Sequence, residues 1–279
     1  MSMTIIVSIV LYKTDRTQAI RAIESALATS LELKVVLIDN SPNNSLKDLA
    51  YLDDRIEYLF NPSNPGFGAA HNIAMRESLA SEAKYHLVLN PDVYFEAGVL
   101  ERLINYMDSH PEVGHVMPKV LYPDGQIQHL CKFLPTPIDL IIRRFIPFKS
   151  WKKRRTDYFE LRFSGYNREM EVPFLSGCFM FLRVNALREV GLFDERFFMY
   201  AEDIDLTRRM HEKFRTIFYP TVQIVHEHGK ESYKSKKMLL IHMWNLAKYF
   251  NKWGWFFDSK RLETNRKILQ RLEHDKVKA

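Results

Sequence analysis

Apolar residues run almost unbroken from Thr4 to Lys13, "TIIVSIVLYK". A run so continuous and so rich in β-branched residues predicts a strand buried on both faces. The pattern then changes period. Ala19, Ile20, Ala22, Ile23, Ala26 and Leu27 recur at three- and four-residue spacing, which predicts a helix with one apolar face. "KVVLIDNS" (Lys34–Ser41) and "IEYLFNP" (Ile56–Pro62) predict a second and a third strand. "GAAHNIAMRESLA" (Gly68–Ala80) reads as a helix and "YHLVLNPD" (Tyr85–Asp92) as a fourth strand. Val99, Leu100, Leu103, Ile104 and Met107 stripe the next helix. Repeated β-α units of this kind predict an α/β fold with a mainly parallel sheet and helices on both faces.

The second half is less regular. "GHVMPKVLYPDGQIQH" holds two short extended runs around the turn Pro123-Asp124-Gly125. Pro135 and Pro137 introduce a basic stretch that reads as a mobile loop over 135–170. Val172–Gly191 predicts a buried strand and a short helix, another helix begins near Glu202, and "TIFYPTVQIVHEHG" predicts a last strand or hairpin. From about Ser232 the chain is helical, basic and aromatic. There is no repeat and no low-complexity tract.

Composition narrows the class. With 279 residues, 46% hydrophobic and 27% charged, the chain suits one large domain or one and a half. Cys131 and Cys178 lack metal-type spacing, so free thiols in a reducing compartment are expected. "TIIVSIVLY" is too short for an export signal or a membrane span, and no stretch reaches about 18 uninterrupted apolar residues. A cytoplasmic protein follows, soluble or peripheral on the inner face of the plasma membrane.

Charge is uneven. Residues 138–155 carry seven Lys/Arg against one Asp, and residues 230–279 carry thirteen against five acids, within an overall net charge of +6. The remaining body is therefore net −8. Two basic, aromatic segments on an acidic body suit an anionic membrane surface, or are simply a solvated face with snorkelling Lys and Arg. The acidic body argues against a broad nucleic-acid face.

Four groups of residues carry candidate chemistry. In a parallel sheet, ligands bind beyond the carboxyl ends of the strands. Tyr12, Asp39-Asn40, Asn61 to Asn64 and Asn90-Pro91-Asp92 all fall there. Pro91 ends a strand ladder and fixes the direction of Asp92. Asp92 then suits a hard divalent cation shared with a diphosphate, or serves as a helix N-cap. "AEDIDL" puts Glu202, Asp203 and Asp205 in a first helical turn, where backbone amides would keep carboxylates ionised and one of them would serve as a base. Ordinary helix-start decoration is the alternative. His226 and His228 share a strand face and are metal-ligand candidates against a plain core or surface role. Gly66 and Gly68 let backbone approach a ligand and open a helix whose N-terminus attracts phosphate. Neither a dinucleotide fingerprint nor a P-loop is present.

Six blocks keep a familiar order: "IVSIVLYK", "VVLIDNSPNN", "NPSNPGFGAAHNIAM", "VLNPDVYF", "FLSGCFMFLRVNALREVGLFDERFFMYAEDIDLTRRM" and "IVHEHGKES". Together they resemble glycosyltransferase family 2, in its bacterial rhamnosyltransferase-like branch, over about Thr4 to Ser232. The resemblance implies a GT-A fold at 1–232, with a nucleotide-binding half at 1–112 and an acceptor half at 113–232. A helical extension follows at 233–279. It implies inverting transfer from a nucleotide-activated sugar. By position, Asp92 resembles the family's metal-binding aspartate, with Asn90 in place of the first Asp of the Asp-x-Asp element. Asn90 would then contact ribose or a metal-bound water. Asp203, of the Glu202-Asp203 pair, resembles the catalytic base. His226 resembles the late metal ligand, with His228 as its rival. Tyr12, Asp39 and Asn40 would contact the nucleoside, and Asn64, Gly66 and Asn72 would line its pocket. The cofactor implied is Mn²⁺ or Mg²⁺. The implied partners are a dTDP- or UDP-sugar, with dTDP-rhamnose foremost, and a glycan or polyprenyl-linked acceptor. A homodimer stays open, as do two rival readings: a sugar-nucleotide nucleotidyltransferase and a non-enzymatic glycan- or membrane-binding module.

Overall fold

The structure, a computed structural model, describes residues 3–142, 146–227 and 236–277. Among the described residues eleven strands run in chain order: β1 Ile5–Leu11, β2 Leu33–Asp39, β3 Ile56–Phe60, β4 Tyr85–Leu89, β5 Val93–Tyr94, β6 Val113–Leu121, β7 Cys131–Lys132, β8 Met170–Glu171, β9 Phe174–Leu175, β10 Phe179–Arg183 and β11 Arg215–His226. The α-helices are α1 Arg16–Leu27, α2 Phe67–Ala80, α3 Val99–Ser109, α4 Lys149–Phe159, α5 Val184–Val190, α6 Glu202–His211, α7 Lys236–Trp253 and α8 Ser259–Val277.

The main sheet has the order β3-β2-β1-β4-β10-β6-β11-β5, with β8 on the side of β11. Strands β3, β2, β1 and β4 are mutually parallel, as are β6 and β11. Antiparallel β10 separates the two groups, and β5 and β8 are also antiparallel to β11. The sheet is thus mixed and mainly parallel. Side chains alternate along β1. Ile5, Val7, Ile9 and Leu11 meet α1 and α3 on one face. Ile6 and Val10 meet Ala70 and Ala74 of α2 on the other. Helices α5 and α6 extend that second layer through Leu187, Leu206 and Met210.

A polar chain crosses this core. Ser8 Oγ lies 2.6 Å from His71 Nδ1 and 2.9 Å from His86 Nε2, and Ser78 Oγ lies 2.7 Å from His86 Nδ1. Burial drives both imidazoles well below their ordinary pKa, so they remain neutral hydrogen-bonding groups.

Two open alternatives close and one expectation changes. Asp92 precedes a short strand, not a helix, and α3 starts only at Val99 after Gly98. The N-cap alternative for Asp92 therefore falls. The stretch 135–170 is not simply a loop, because Lys149–Phe159 is helical. The run after Arg215 is one strand, with its register shifting between Tyr219 and Gln223, where Pro220 has no N–H to offer the ladder.

The C-terminal helices share the main core through Leu246, Tyr249, Phe250, Ile268 and Leu272, so the boundary expected at 232/233 does not divide two cores. Buried basic residues partly explain why. The Arg208 guanidinium forks onto Asp258 at 2.7 and 2.9 Å and stacks 4.0 Å from the Trp253 ring centre. Buried Arg261 donates to the carbonyls of Pro135, Gly254, Trp255 and Phe256. Part of the basic excess of this segment thus serves internal packing. Both cysteines are free and buried.

Candidate active site

The parallel strands deliver their polar ends to one edge. Because β10 runs antiparallel to β4, its amino end reaches the same edge. Asn90 N–H donates to the Cys178 carbonyl at 3.0 Å there. Strand β5 pairs with the last residues of β11, setting His226 opposite Val93. Glu227 N–H also donates to the Asp92 carbonyl at 2.9 Å. These pairings bring His226 Nε2 to 3.4 Å from Asp92 Oδ1.

Gln128, which sequence reasoning missed, holds the His226 ring. Its amide nitrogen donates to the His226 carbonyl at 2.6 Å and to the Leu121 carbonyl at 3.3 Å. That fixes the amide oxygen toward His226 Nδ1, 3.0 Å away. Nδ1 must then carry the hydrogen, and Nε2 is the nitrogen presented to Asp92. Burial would lower this imidazole. Cys178 and the Asp92 carboxylate outweigh burial and hold it up to about 10.

The acidic cluster divides into three tasks. Asp203 is half-buried, and its Oδ2 accepts the Gly177 N–H at 3.0 Å. Gly177 adjoins Cys178, so Asp203 and the Asp92–His226 pair flank one turn. Glu202 is buried, and its carboxylate accepts the Ala201 N–H at the start of α6. Asp205 is fully buried and takes the Trp253 indole N–H at 2.8 Å and the Lys252 ammonium at 2.6 Å. The expectation that first-turn amides keep these acids ionised is corrected for two of them. Burial raises the pKa of both Glu202 and Asp203, against the pull of the amides. Lys132 partly offsets this for Asp203.

At the other parallel strands, Asp39 is buried. It accepts from Ser41 N–H at 2.9 Å and from the Tyr58 hydroxyl at 2.6 Å. Asn61 donates to Asn40 at 2.9 Å, and Asn40 lies 3.4 Å from Asn64, whose φ is +44°. Tyr12 is half exposed at the end of β1, and Asn90 Oδ1 is a buried oxygen with no hydrogen-bond partner among the described residues.

Two expected pocket residues are occupied otherwise. Asn72 gives its amide to the Phe193 carbonyl and Glu195, and accepts from Phe193 N–H. Gly66, at φ +105°, makes room for protein and not ligand: a Cβ there would lie 2.4 Å from the Phe198 carbonyl oxygen. That carbonyl also accepts the first amide of α2, from Phe67, so the helix N-terminus expected to attract phosphate is covered. His228 lies outside the described residues.

Among the described residues no group of three His, Cys, Asp or Glu side chains is gathered to hold a metal ion. Asp92 and His226 fit a cation that displaces the imidazolium proton from Nε2 and takes its remaining ligands from a diphosphate and water. Asn90 Oδ1 fits a hydroxyl or water donor at the same edge. Two surface basins, of about 870 Å³ beside Arg215 and Arg271 and about 430 Å³ beside Arg196 and Lys248, include neither Asp92 nor Asp203. The site assignment rests on the strand ends.

The chain is similar to known proteins of one family. The family described as "Glycosyl transferase family 2" matches residues 7–191, and "Glycosyl transferase family group 2" matches residues 143–268. The N-acetylglucosaminyl-diphospho-decaprenol L-rhamnosyltransferase of Mycobacterium tuberculosis is 29% identical over 215 residues, 72% of this chain and 68% of the relative. Rhamnosyltransferase WbbL of Escherichia coli is 24% identical over 256 residues, 88% of this chain and 90% of that protein. Two solved structures share the fold. GalNAc-T7 with UDP, GalNAc and Mn²⁺ superposes with a TM-score of 0.59 at 14% identity, over 81% of this chain and 43% of that one. The mannosyltransferase PcManGT from Pyrobaculum calidifontis, in complex with GDP-Man and Mn²⁺, gives 0.59 at 16% identity, over 89% and 63%. This chain spans less than two thirds of either solved protein.

Proposed function

Since the chain belongs to glycosyltransferase family 2, an inverting family, we propose that it transfers rhamnose from dTDP-rhamnose to a glycan or lipid-linked acceptor. The observation that carries this reading is the Gly177–Cys178 turn, with Asp203 on one side and the Asp92–His226 pair on the other. The relatives that are rhamnosyltransferases support the choice of sugar.

Tyr12, Asp39, Asn40 and Asn64 line the nucleoside end, and Asn90 Oδ1 accepts from a ribose hydroxyl or a bound water. Asn72 and Gly66 act indirectly, through the segment 193–198. Asp92 and His226 would hold Mn²⁺ or Mg²⁺, which would supply positive charge to the departing nucleoside diphosphate. Asp203 takes the proton from the acceptor hydroxyl. The freed oxygen forms a bond to the anomeric carbon as the carbon–phosphate-oxygen bond breaks on the opposite face, so configuration inverts. Burial that raises the Asp203 pKa makes it a stronger base once ionised. Glu202 caps α6 beside it.

A melting panel of dTDP-, UDP- and GDP-sugars with Mn²⁺ tests the donor. dTDP-rhamnose should raise Tm most, as a ligand that binds only the folded state does. A panel in which no nucleotide sugar moves Tm would defeat the proposal. Asp203→Asn should leave that shift intact and cut turnover by about 10²-fold or more. Turnover near the wild-type rate removes Asp203 from its role.

No helix among the described residues is long and apolar enough to cross a membrane. Leu240, Trp244, Phe256 and Phe257 are nevertheless exposed along α7 and its following turn. We assign them to a peripheral contact with an anionic bilayer. Flotation with anionic vesicles, but not with neutral ones, is the expected result. No flotation with anionic vesicles would assign the patch elsewhere.

A further inference from the structure

The segment that carries Asp203 into the site adopts a backbone that its own residues disfavour. Tyr200 has φ +84°, a region in which a bulky L-residue is a genuine outlier. Such a conformation persists only where its surroundings over-determine it. Three contacts do so. The Phe198 carbonyl accepts the Phe67 N–H of α2 at 2.9 Å. The Tyr200 ring lies 4.7 Å from the His242 ring of α7, centre to centre. Asn245 of α7 brackets two successive residues, accepting the Phe198 N–H at 3.3 Å and donating to the Met199 carbonyl at 2.9 Å.

The Asn245 side chain is almost fully buried, at 1% exposure. An aliphatic residue would fill the same space. The amide supplies an acceptor and a donor on two separate atoms, Oδ1 and Nδ2, and so fixes the orientation of the backbone. The clamp is itself held firmly. Leu246, Tyr249 and Phe250 sit in the core, and Trp253, further along α7, donates to Asp205 of α6. Helix α7 therefore grips α6 at Asp205 and the segment entering α6 at Phe198–Met199. Between these two grips lie the Tyr200 turn and Asp203.

We propose that Asn245 is a positioning residue for glycosyl transfer. Its amide locks the backbone at 198–199 so that α6 begins where Asp203 reaches the Gly177 N–H. It touches no substrate, and the inference rests on the reading of Asp203 as the base.

The test uses the full chain with Mn²⁺ and the nucleotide sugar that the melting panel selects. Its slow transfer to water, which needs the same base, gives kcat; calorimetry gives the donor Kd. Asn245→Ala should lose about tenfold or more in kcat, since a small displacement of a reacting group costs that much. Donor Kd should stay within twofold. Asn245→Asp keeps an acceptor for Phe198 N–H but loses the donor to Met199, and should fall between. It also carries the test if the alanine variant fails to fold. A folded variant with kcat within twofold of wild type, beside an inactive Asp203→Asn, overturns the inference alone. So does a fall in kcat matched by an equal loss of donor affinity, which marks a general scaffold defect. An Asp203→Asn protein at full rate overturns both readings.

Discussion

A single methyl group at Gly177 tests the position of the proposed base. A Cβ built there lies 3.0 Å from Asp203 Cβ, 3.6 Å from its Cγ and 3.5 Å from its Oδ2. Unstrained carbon contacts begin near 3.5 Å, so Asp203 must retreat by about 0.5 Å. The backbone itself does not resist, because Gly177 is not among the positive-φ glycines. The retreat lengthens the 3.0 Å bond from Gly177 N–H, whose charged acceptor makes it worth about 1.5–3 kcal/mol. A misplacement of 1 Å costs about 10²-fold in rate, so half of that predicts about a tenfold lower kcat for Gly177→Ala. This corresponds to about 1.4 kcal/mol in the barrier. Donor affinity should not change, because the Asp92–His226 pair is untouched. Initial rates at saturating donor, with donor Kd from calorimetry, measure both. A kcat within twofold of wild type would refute the placement of the base against this turn.

Other outcomes follow from the same geometry. Asp92→Ala should abolish Mn²⁺-dependent donor binding, and unchanged calorimetry with donor and Mn²⁺ would rule out the cation site. Gln128→Ala frees the His226 ring to rotate and should weaken Mn²⁺ binding by about 10–100-fold, the usual cost of losing a partner behind a metal ligand. Glu202 predicts the pH dependence of stability. Its folded pKa is raised, so between its ordinary value and the raised one the folded chain keeps a proton that the unfolded chain has lost. The contribution of Glu202 to stability is therefore greatest below the ordinary carboxylate range and falls as pH rises through that window. Asp203 adds in the same direction. Glu202→Gln should flatten the decline of Tm with pH, and an unchanged slope would show that Glu202 contributes none of it.

Much of the fold was legible. Strands β1, β2 and β4 announced themselves because strands buried on both faces need unbroken apolar runs, and α6 begins at the Glu202 expected from its acidic first turn. The polar strand ends were equally plain. The roles of the acidic cluster were not. Helix periodicity places Glu202, Asp203 and Asp205 within one turn, but their separation into cap, proposed base and anchor depends on what packs against each face. Gly177 stood inside a recognised block without any mark of its own.

The sequence by itself determined the β-α rhythm, the carboxyl edge where chemistry collects, and the residues available there, because local periodicity records burial. Tertiary structure decided which of them meet. Antiparallel β10 carries the Gly177 amide to Asp203, 26 positions away, and a connecting loop brings Gln128 to His226 across 98 positions. The clamp from Asn245 crosses 47 positions to reach Phe198. Contacts between distant segments depend on strand order and helix docking, which no window of neighbouring residues encodes.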